Sequence, residues 1–301
     1  MTQGGAHMFL TILSLLALLV VAHGFLRVVR YFWQWLGYDV DLDRAVAGGY
    51  VSAEVAFAAE GDKRALTAEQ RRELALGRER MRDEFLDRLR IGWYQVVFLF
   101  VIGSVAGLLL EELWMLATAG VSQSRVGLVW GPFSPLYGCG TVLLTVATFL
   151  LRRNGARLWQ VFLVSMLIGG ALEQLTGWGM EALFRAQSWT YVYLPDHITQ
   201  WVAWRFLVMW GLLGVVWTKF VMPWVLFRIG EPTTRRQVVF VTILAVYLAL
   251  DIVMTLVCFG RAARRDAGQP PAGPVDQWVD EHYTDEFMSN KFQNLVIGRD
   301  L

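Results

Sequence analysis

Charge is what this sequence has least of. Lysine, arginine, aspartate and glutamate make up 18% of its 301 residues, against about a quarter in an ordinary soluble protein. The two signs nearly cancel, to a net +1, which leaves no basic footprint for a nucleic acid. Cysteine is almost missing: Cys139 and Cys258 both lie in apolar stretches and read as packing residues, not as a disulfide or a metal pair. The four histidines, His7, His23, His197 and His282, are scattered, and no CxxC or HExxH pattern occurs. Neither a metal nor another cofactor is expected from such a chain. A GxxxxGK[ST] phosphate loop is missing too, so any ATP-driven role requires a separate ATPase subunit.

What fills the space is apolar. Hydrophobic residues make up 55% of the chain, and its mean hydropathy is +0.42. They gather in runs at 8–29, 91–117, 132–151, 158–184, 200–222 and 237–259, each near the roughly 20 residues a helix needs to cross a bilayer. The expected fold is all-α, a polytopic integral membrane helical bundle with about six transmembrane helices, whose first partner is the lipid bilayer itself. Many of the 14 tryptophans lie near the ends of these runs, as interfacial anchors do. The first run lacks a basic leader and is followed by Arg27 and Arg30, so it reads as an anchor and not as a cleaved signal.

Four regions follow: an N-terminal membrane anchor (1–37), a charged segment (38–90), a core bundle (91–260) and a polar C-terminal tail (261–301). Within the charged segment, Thr67 and Gln70 form a capping-box pattern, and Leu74, Met81, Phe85 and Leu89 keep helical register. That spacing predicts an amphipathic helix, either a solvated connector or a helix lying on the membrane or a partner. Basic residues crowd alternate loops. The 38–90 segment carries Lys63, Arg64, Arg71, Arg72, Arg78, Arg80, Arg82, Arg88 and Arg90; later loops carry Arg152, Arg153 and Arg157, then Arg228, Arg235 and Arg236. The intervening loops hold only Arg125 and Arg185. The positive-inside rule therefore puts the N-terminus outside and the 38–90 segment in the cytoplasm. Arg261, Arg264 and Arg265, after the last run, disagree with that assignment.

Against this background two helices carry glutamates on stripes of small residues: Gly103, Gly107, Glu111 in one, and Ser165, Gly169, Glu173, Gly177, Glu181 in the other. Residues four apart share a helix face. Small residues let a neighbour approach in a membrane, and an ionisable group there is functional by default. A charge at mid-bilayer costs roughly 2.5–3.5 kcal/mol on the insertion scale. Glu111 lies roughly 9 Å from the far end of its run and Glu173 roughly 15 Å. Arg205 enters the fifth run from the same side, where Glu112 and Glu181 also lie. Two loops serve that side, one ending in Gly131-Pro132-Phe133-Ser134-Pro135-Leu136-Tyr137-Gly138, the other in Trp189-Thr190-Tyr191-Val192-Tyr193-Leu194-Pro195-Asp196-His197.

The candidate substrate-binding residues are Glu111, Glu173, Glu181, Arg205, Tyr137, Trp189, Tyr191 and Asp251, converging on a cavity open to one side. Plainer roles stand beside this. Glu112 and Glu181 can be interfacial, Arg205 can snorkel or pair with a glutamate, Pro132 can start a helix, and Glu111 and Glu173 can be neutral hydrogen-bond donors. Asp251, flanked by Tyr247 and Thr255, can be a structural aspartate. A short internal match aligns Gly107-Leu-Leu-Leu-Glu111-Glu-Leu113 with Gly169-Gly-Ala-Leu-Glu173-Gln-Leu175, as parallel repeats do in some transporters.

The blocks Ser104-Val-Ala-Gly107-Leu-Leu-Leu-Glu111, Gly131 to Gly138, Glu173-Gln-Leu-Thr-Gly177-Trp-Gly-Met-Glu181-Ala-Leu-Phe184 and Phe206-Leu-Val-Met-Trp210-Gly211 resemble the ABC-transporter type IV family, also called CmpB-like. The resemblance covers roughly 95–225 and extends more weakly through Asp251 and the tail around Trp278 to Met288. It implies a bacterial inner-membrane, multi-pass, permease-like transport component. One loop departs: where the family typically reads W-D-Y-S followed by asparagines and a glycine, this chain has Trp189-Thr190-Tyr191-Val192 and then His197, Thr199 and Gln200. The ligand or activity here is then its own. Two functions stay open at this point. One is a transport component whose glutamates bind a cation, a proton or a polar group. The other is an intramembrane enzyme or binding protein for a lipid or other apolar molecule, with paired carboxylates as acid and base. A homo-oligomer is compatible with either.

Overall fold

The computed structural model describes residues 23, 24, 27, 30–32, 34–36, 42–61, 65–120 and 123–297. The apolar run 8–29 falls almost wholly outside these. Ahead of the core lie α1 (Leu42–Ala47), α2 (Ala53–Gly61) and α3 (Ala68–Arg88). Five further helices are long and apolar enough to cross a membrane. They are α4 (Trp93–Ala119), α5 (Pro135–Arg153), α6 (Leu158–Phe184), the pair α7 (Trp204–Val216) and α8 (Met222–Ile229), and α9 (Arg235–Asp266). Two short helices, α10 (Pro274–His282) and α11 (Asp285–Lys291), form the tail. Two-residue strands β1 (Ala186–Gln187) and β2 (Val296–Ile297) pair antiparallel. All five expected spans that fall in the described region are present.

Local sequence explains the boundaries. α4 ends at Gly120, whose left-handed φ of 66° lets its N–H return to the Leu116 carbonyl. α5 starts at Pro135 behind Ser134, not at Pro132: a proline at the first helical position gives up an N–H that would have no partner anyway. α7 and α8 are joined by a π-helical turn, Trp217–Val221, just before Pro223. A proline ring clashes with the carbonyl four residues back, and one wide turn relieves that clash. Trp93, Trp159 and Trp204 stand exposed at the start of α4, α6 and α7, where amphipathic rings meet the headgroups.

The chain forms two compact units. One holds the described residues up to Met81 with Arg228–Val239, the other Arg82–Phe227 with Phe240–Leu301. In the first, the expected capping box opens α3: Gln70 N donates to Thr67 Oγ1 at 3.2 Å, and Thr67 N to Gln70 Oε1 at 2.9 Å. The apolar face behind it is covered by the chain itself. Leu74 and Met81 pack on Ala45, Val51, Val55, Ala56 and Ala59 of the α1–α2 hairpin, so this half of α3 presents no bare stripe to a membrane.

In the second unit, one face gathers the end of α3, where Arg152 pairs with Asp83 at 3.4 Å and Arg153 donates to the Asp87 carbonyl at 3.0 Å. The other face gathers the ends of α4, α6 and α9 with the tail. Ser124 N donates to Gln293 and Asn294 to Ser188, at 2.9 and 2.6 Å, while β2 pairs with β1. The basic cluster that disagreed with the loop count is consumed there. Arg261, 2% exposed, and Arg265 both pair with Asp280 at 2.7 Å, and Arg264 pairs with Asp276 at 3.0 Å. The Arg261 guanidinium holds the Asp280 carboxyl below the usual carboxylate range. With Cys139 and Cys258 replaced by alanine, Val192→Cys and Ser289→Cys should react with a membrane-impermeant maleimide from one side, and Asn154→Cys from the other. Labelling of Val192→Cys and Ser289→Cys from opposite sides would overturn this arrangement.

Candidate functional site

The small-residue stripes are filled from the next helix along the chain. On α4, a Cβ at Gly103 would overlap Thr141 of α5, and one at Gly107 the Tyr137 ring. On α6, Gly169 lies under the Trp210 indole of α7, Gly177 under Trp201, and Ser165 meets Gly214. An absent side chain admits an aromatic ring and so sets where that ring's polar edge falls, one helical turn on. Trp210 Nε1 donates to Glu173 Oε1 at 2.9 Å. Tyr137 occupies the corresponding place on α4 and reaches the Glu111 carboxylate. The short internal match thus extends into packing: Gly107–Glu111 with Tyr137, and Gly169–Glu173 with Trp210.

Two loop residues complete the cluster. Arg125, just beyond α4, pairs with Glu111 through Nη1 and Oε1 at 2.9 Å. Tyr191, from the loop after α6, stacks on Phe206 with centroids 4.5 Å apart and 21° between planes. Burial, with the charges of Glu173 and Glu111 beside it, raises the Tyr191 hydroxyl far above the ordinary phenol range. Glu111, Arg125, Tyr137, Glu173, Tyr191 and Trp210 therefore form one group. It is graded in exposure: the Glu111 side chain is 25% exposed and Glu173 only 7%. Since α4 runs on to Ala119, Glu111 lies about 12 Å inside its end, and Glu173 about 16 Å inside the end of α6.

Two buried atoms in this group have no hydrogen-bond partner among the described residues, Glu173 Oε2 and Arg125 Nε. Such atoms are rare in folded proteins and costly, about 1–3 kcal/mol each and more when charged.

The other expected residues lie elsewhere. Glu181 is exposed and accepts from Gln200 Nε2 at 2.8 Å. Arg205 forks onto Asp196, Nη2 to Oδ1 at 2.7 Å, and holds that carboxyl below its usual range; it turns to an aspartate of its own loop, not to a glutamate. Trp189 Nε1 donates to the Trp201 carbonyl at 3.2 Å. Asp251 is fully buried and works with its stripe neighbours as a clamp. Trp130 N donates to Asp251 Oδ1 and Val129 N to Thr255 Oγ1, both at 2.9 Å, while Tyr247 donates to the Trp130 carbonyl at 3.0 Å. The clamp holds the loop that carries Arg125 and leads into α5.

Arg125 and Trp210 escaped the sequence reading. Arg125 stood in plain view as one of two basic residues on its side, but counted only toward orientation. Trp210 sat in a recognised block and passed for one tryptophan among many. The signal for each was its partner: a buried glutamate needs a cation or a donor.

The fold and site define a polytopic membrane protein with a polar group inside its bundle. Residues 98–256, more than half of the chain, match the family described as Putative ABC-transporter type IV, and the chain belongs to that family. Neither the curated proteins nor the solved structures contain a match to it.

The ring-on-glycine packing has a direct test. Gly169→Val should lower stability by about 1–3 kcal/mol, as overpacking does, read as a lower melting temperature by fluorescence-detected gel filtration. Gly179→Ala, where a Cβ meets nothing within 4 Å, should stay within about 0.5 kcal/mol of wild type.

Proposed function

We propose that this protein is the permease-like component of a bacterial cell-membrane transport system. Its binding site is Glu173 with Glu111, Tyr137 and Tyr191, open toward the loops 120–134 and 185–203. The observation that carries this is Glu173: a carboxylate deep in an apolar helix, one oxygen held by an indole N–H and the other unpartnered. An ionisable group in an apolar helix is costly, and an oxygen left without a donor adds to that cost. Asp251 Oδ2 shares the second feature, but Asp251 lies outside the group of rings and charges around Glu173. Membership of a family described as a transporter supports transport as the use of that group. The exposure gradient from Glu111 to Glu173 supports entry from the loop face.

The loop charges support an N-terminus and loops 120–134 and 185–203 outside, with α1 to α3 in the cytoplasm. A separate ATPase subunit would supply the energy, docking on the 38–90 segment. Acid–base catalysis on a lipid is the weaker reading, since it needs two free carboxyls and Glu111 is tied to Arg125.

Glu173→Gln should abolish transport-dependent growth or uptake while the protein still accumulates and runs as a single species. Full activity in a well-expressed variant would sink the acidic site. A mild-detergent pull-down from native membranes tests the partner: a stoichiometric ATPase is expected, and a retained, chemically altered lipid in its place would favour the enzyme.

A further inference from the structure

Building on the acidic-site reading above, we infer that this site takes a primary ammonium group together with an oxygen acceptor in the same molecule, the ammonium at Glu173 and the acceptor at Arg125. The two orphan atoms are of opposite polarity. Glu173 Oε2 is an acceptor without a donor, and Arg125 Nε–H a donor without an acceptor, both in the group that surrounds Tyr191. Charge points the same way. Glu111 and Arg125 neutralise each other, whereas among the described residues Glu173 accepts a hydrogen bond only from the neutral Trp210 indole. One negative charge is left over, so a ligand must bring its positive end there.

The walls suit an ammonium. Tyr137, Trp210 and the stacked pair Tyr191 and Phe206 are aromatic, and ring faces attract organic cations. They do not suit a hard metal ion. Calcium takes about 6–8 oxygens and magnesium a near-ideal octahedron, but one free carboxylate oxygen and two phenols are far short of that. Among the described residues no group of three or more histidine, cysteine, aspartate or glutamate side chains is placed to hold a metal. A proton would neutralise Glu173 but leave Arg125 Nε with nothing to donate to. An N–H is needed at Oε2, which selects a primary ammonium over a quaternary one. The same chemistry occurs in a soluble amino alcohol and in an ethanolamine lipid headgroup.

The test uses the full chain in phosphatidylcholine nanodiscs with radiolabelled ethanolamine. Saturable binding is expected. Unlabelled ethanolamine should displace it at least tenfold better than ethylamine, which lacks the acceptor, and than tetramethylammonium, which lacks the N–H; potassium at equal concentration should not displace it. Glu173→Gln should weaken binding at least tenfold and Glu281→Gln less than twofold. If Glu173→Gln does not accumulate, the displacement order on wild type decides alone. Loss of the signal in nanodiscs containing phosphatidylethanolamine assigns the site to the lipid headgroup, and persistence assigns it to the soluble amine. No saturable binding, or equal displacement by all three amines, overturns the inference. If Glu173→Gln is then still inactive in transport, the acidic site stands without it; if that variant is also active, both fall.

Discussion

Everything in the core turns on a ring seated on a glycine. Gly169 has no side chain, so the Trp210 indole can lie against the α6 backbone, and from there its N–H meets Glu173. Remove the space and the ring moves; move the ring and the Glu173 carboxylate loses the Trp210 hydrogen bond. In lipid there is little hydrophobic force between helices, so packing and hydrogen bonds must hold them together. Here both come from one residue. The arrangement is used again where Tyr137 lies on Gly107 beside Glu111.

The two copies are not equivalent, and the difference gives the site its direction. Glu111 is nearer the loops and has a full counter-ion in Arg125. Glu173 is deeper and has only a neutral donor. A buried ion pair left intact is close to neutral in energy, but a buried charge with no partner is strongly unfavourable. Charge is thus balanced at the outer pair and not at Glu173, while among the described residues Arg125 Nε and Glu173 Oε2 each keep no hydrogen-bond partner.

The sequence made the helices legible because membrane-length apolar runs have few alternatives. The capping box of Thr67 and Gln70 was legible for the same kind of reason: its chemistry is local. Glu111 and Glu173 stood out because charge in such runs is costly. What could not be read was pairing across the chain. Nothing local says that Arg205 chooses Asp196, nine residues before it, or that Arg125 chooses Glu111. Spacing alone marked the glycines as helix-to-helix contacts, which they are, but could not say that rings of α5 and α7 would fill Gly107 and Gly169. The pairing of the arginines after α9 was equally hidden, because their aspartate partners lie 12 to 20 residues away in the folded tail.

The stripe of Tyr247, Asp251 and Thr255 ties these levels together. Asp251 looked like a third candidate ligand; its Oδ1 accepts from the backbone of Trp130, and its Oδ2 has no partner among the described residues. At 1.5 Å per residue, α9 is about 48 Å long, more than the roughly 30 Å hydrocarbon core. Its end therefore reaches out of the bilayer to hold the tail through Arg261, Arg264 and Arg265, while its middle holds a loop. The loop it holds carries Arg125, so α9 also fixes the cation that pairs with Glu111. The family match, ending at residue 256, includes all three clamp residues and stops before the tail. The tail adds a second grip on the same loop through Tyr283 and Trp130, 2.8 Å apart. The position of Arg125 is thus set by α9 and the tail, while the position of Glu173 is set by Trp210 of α7.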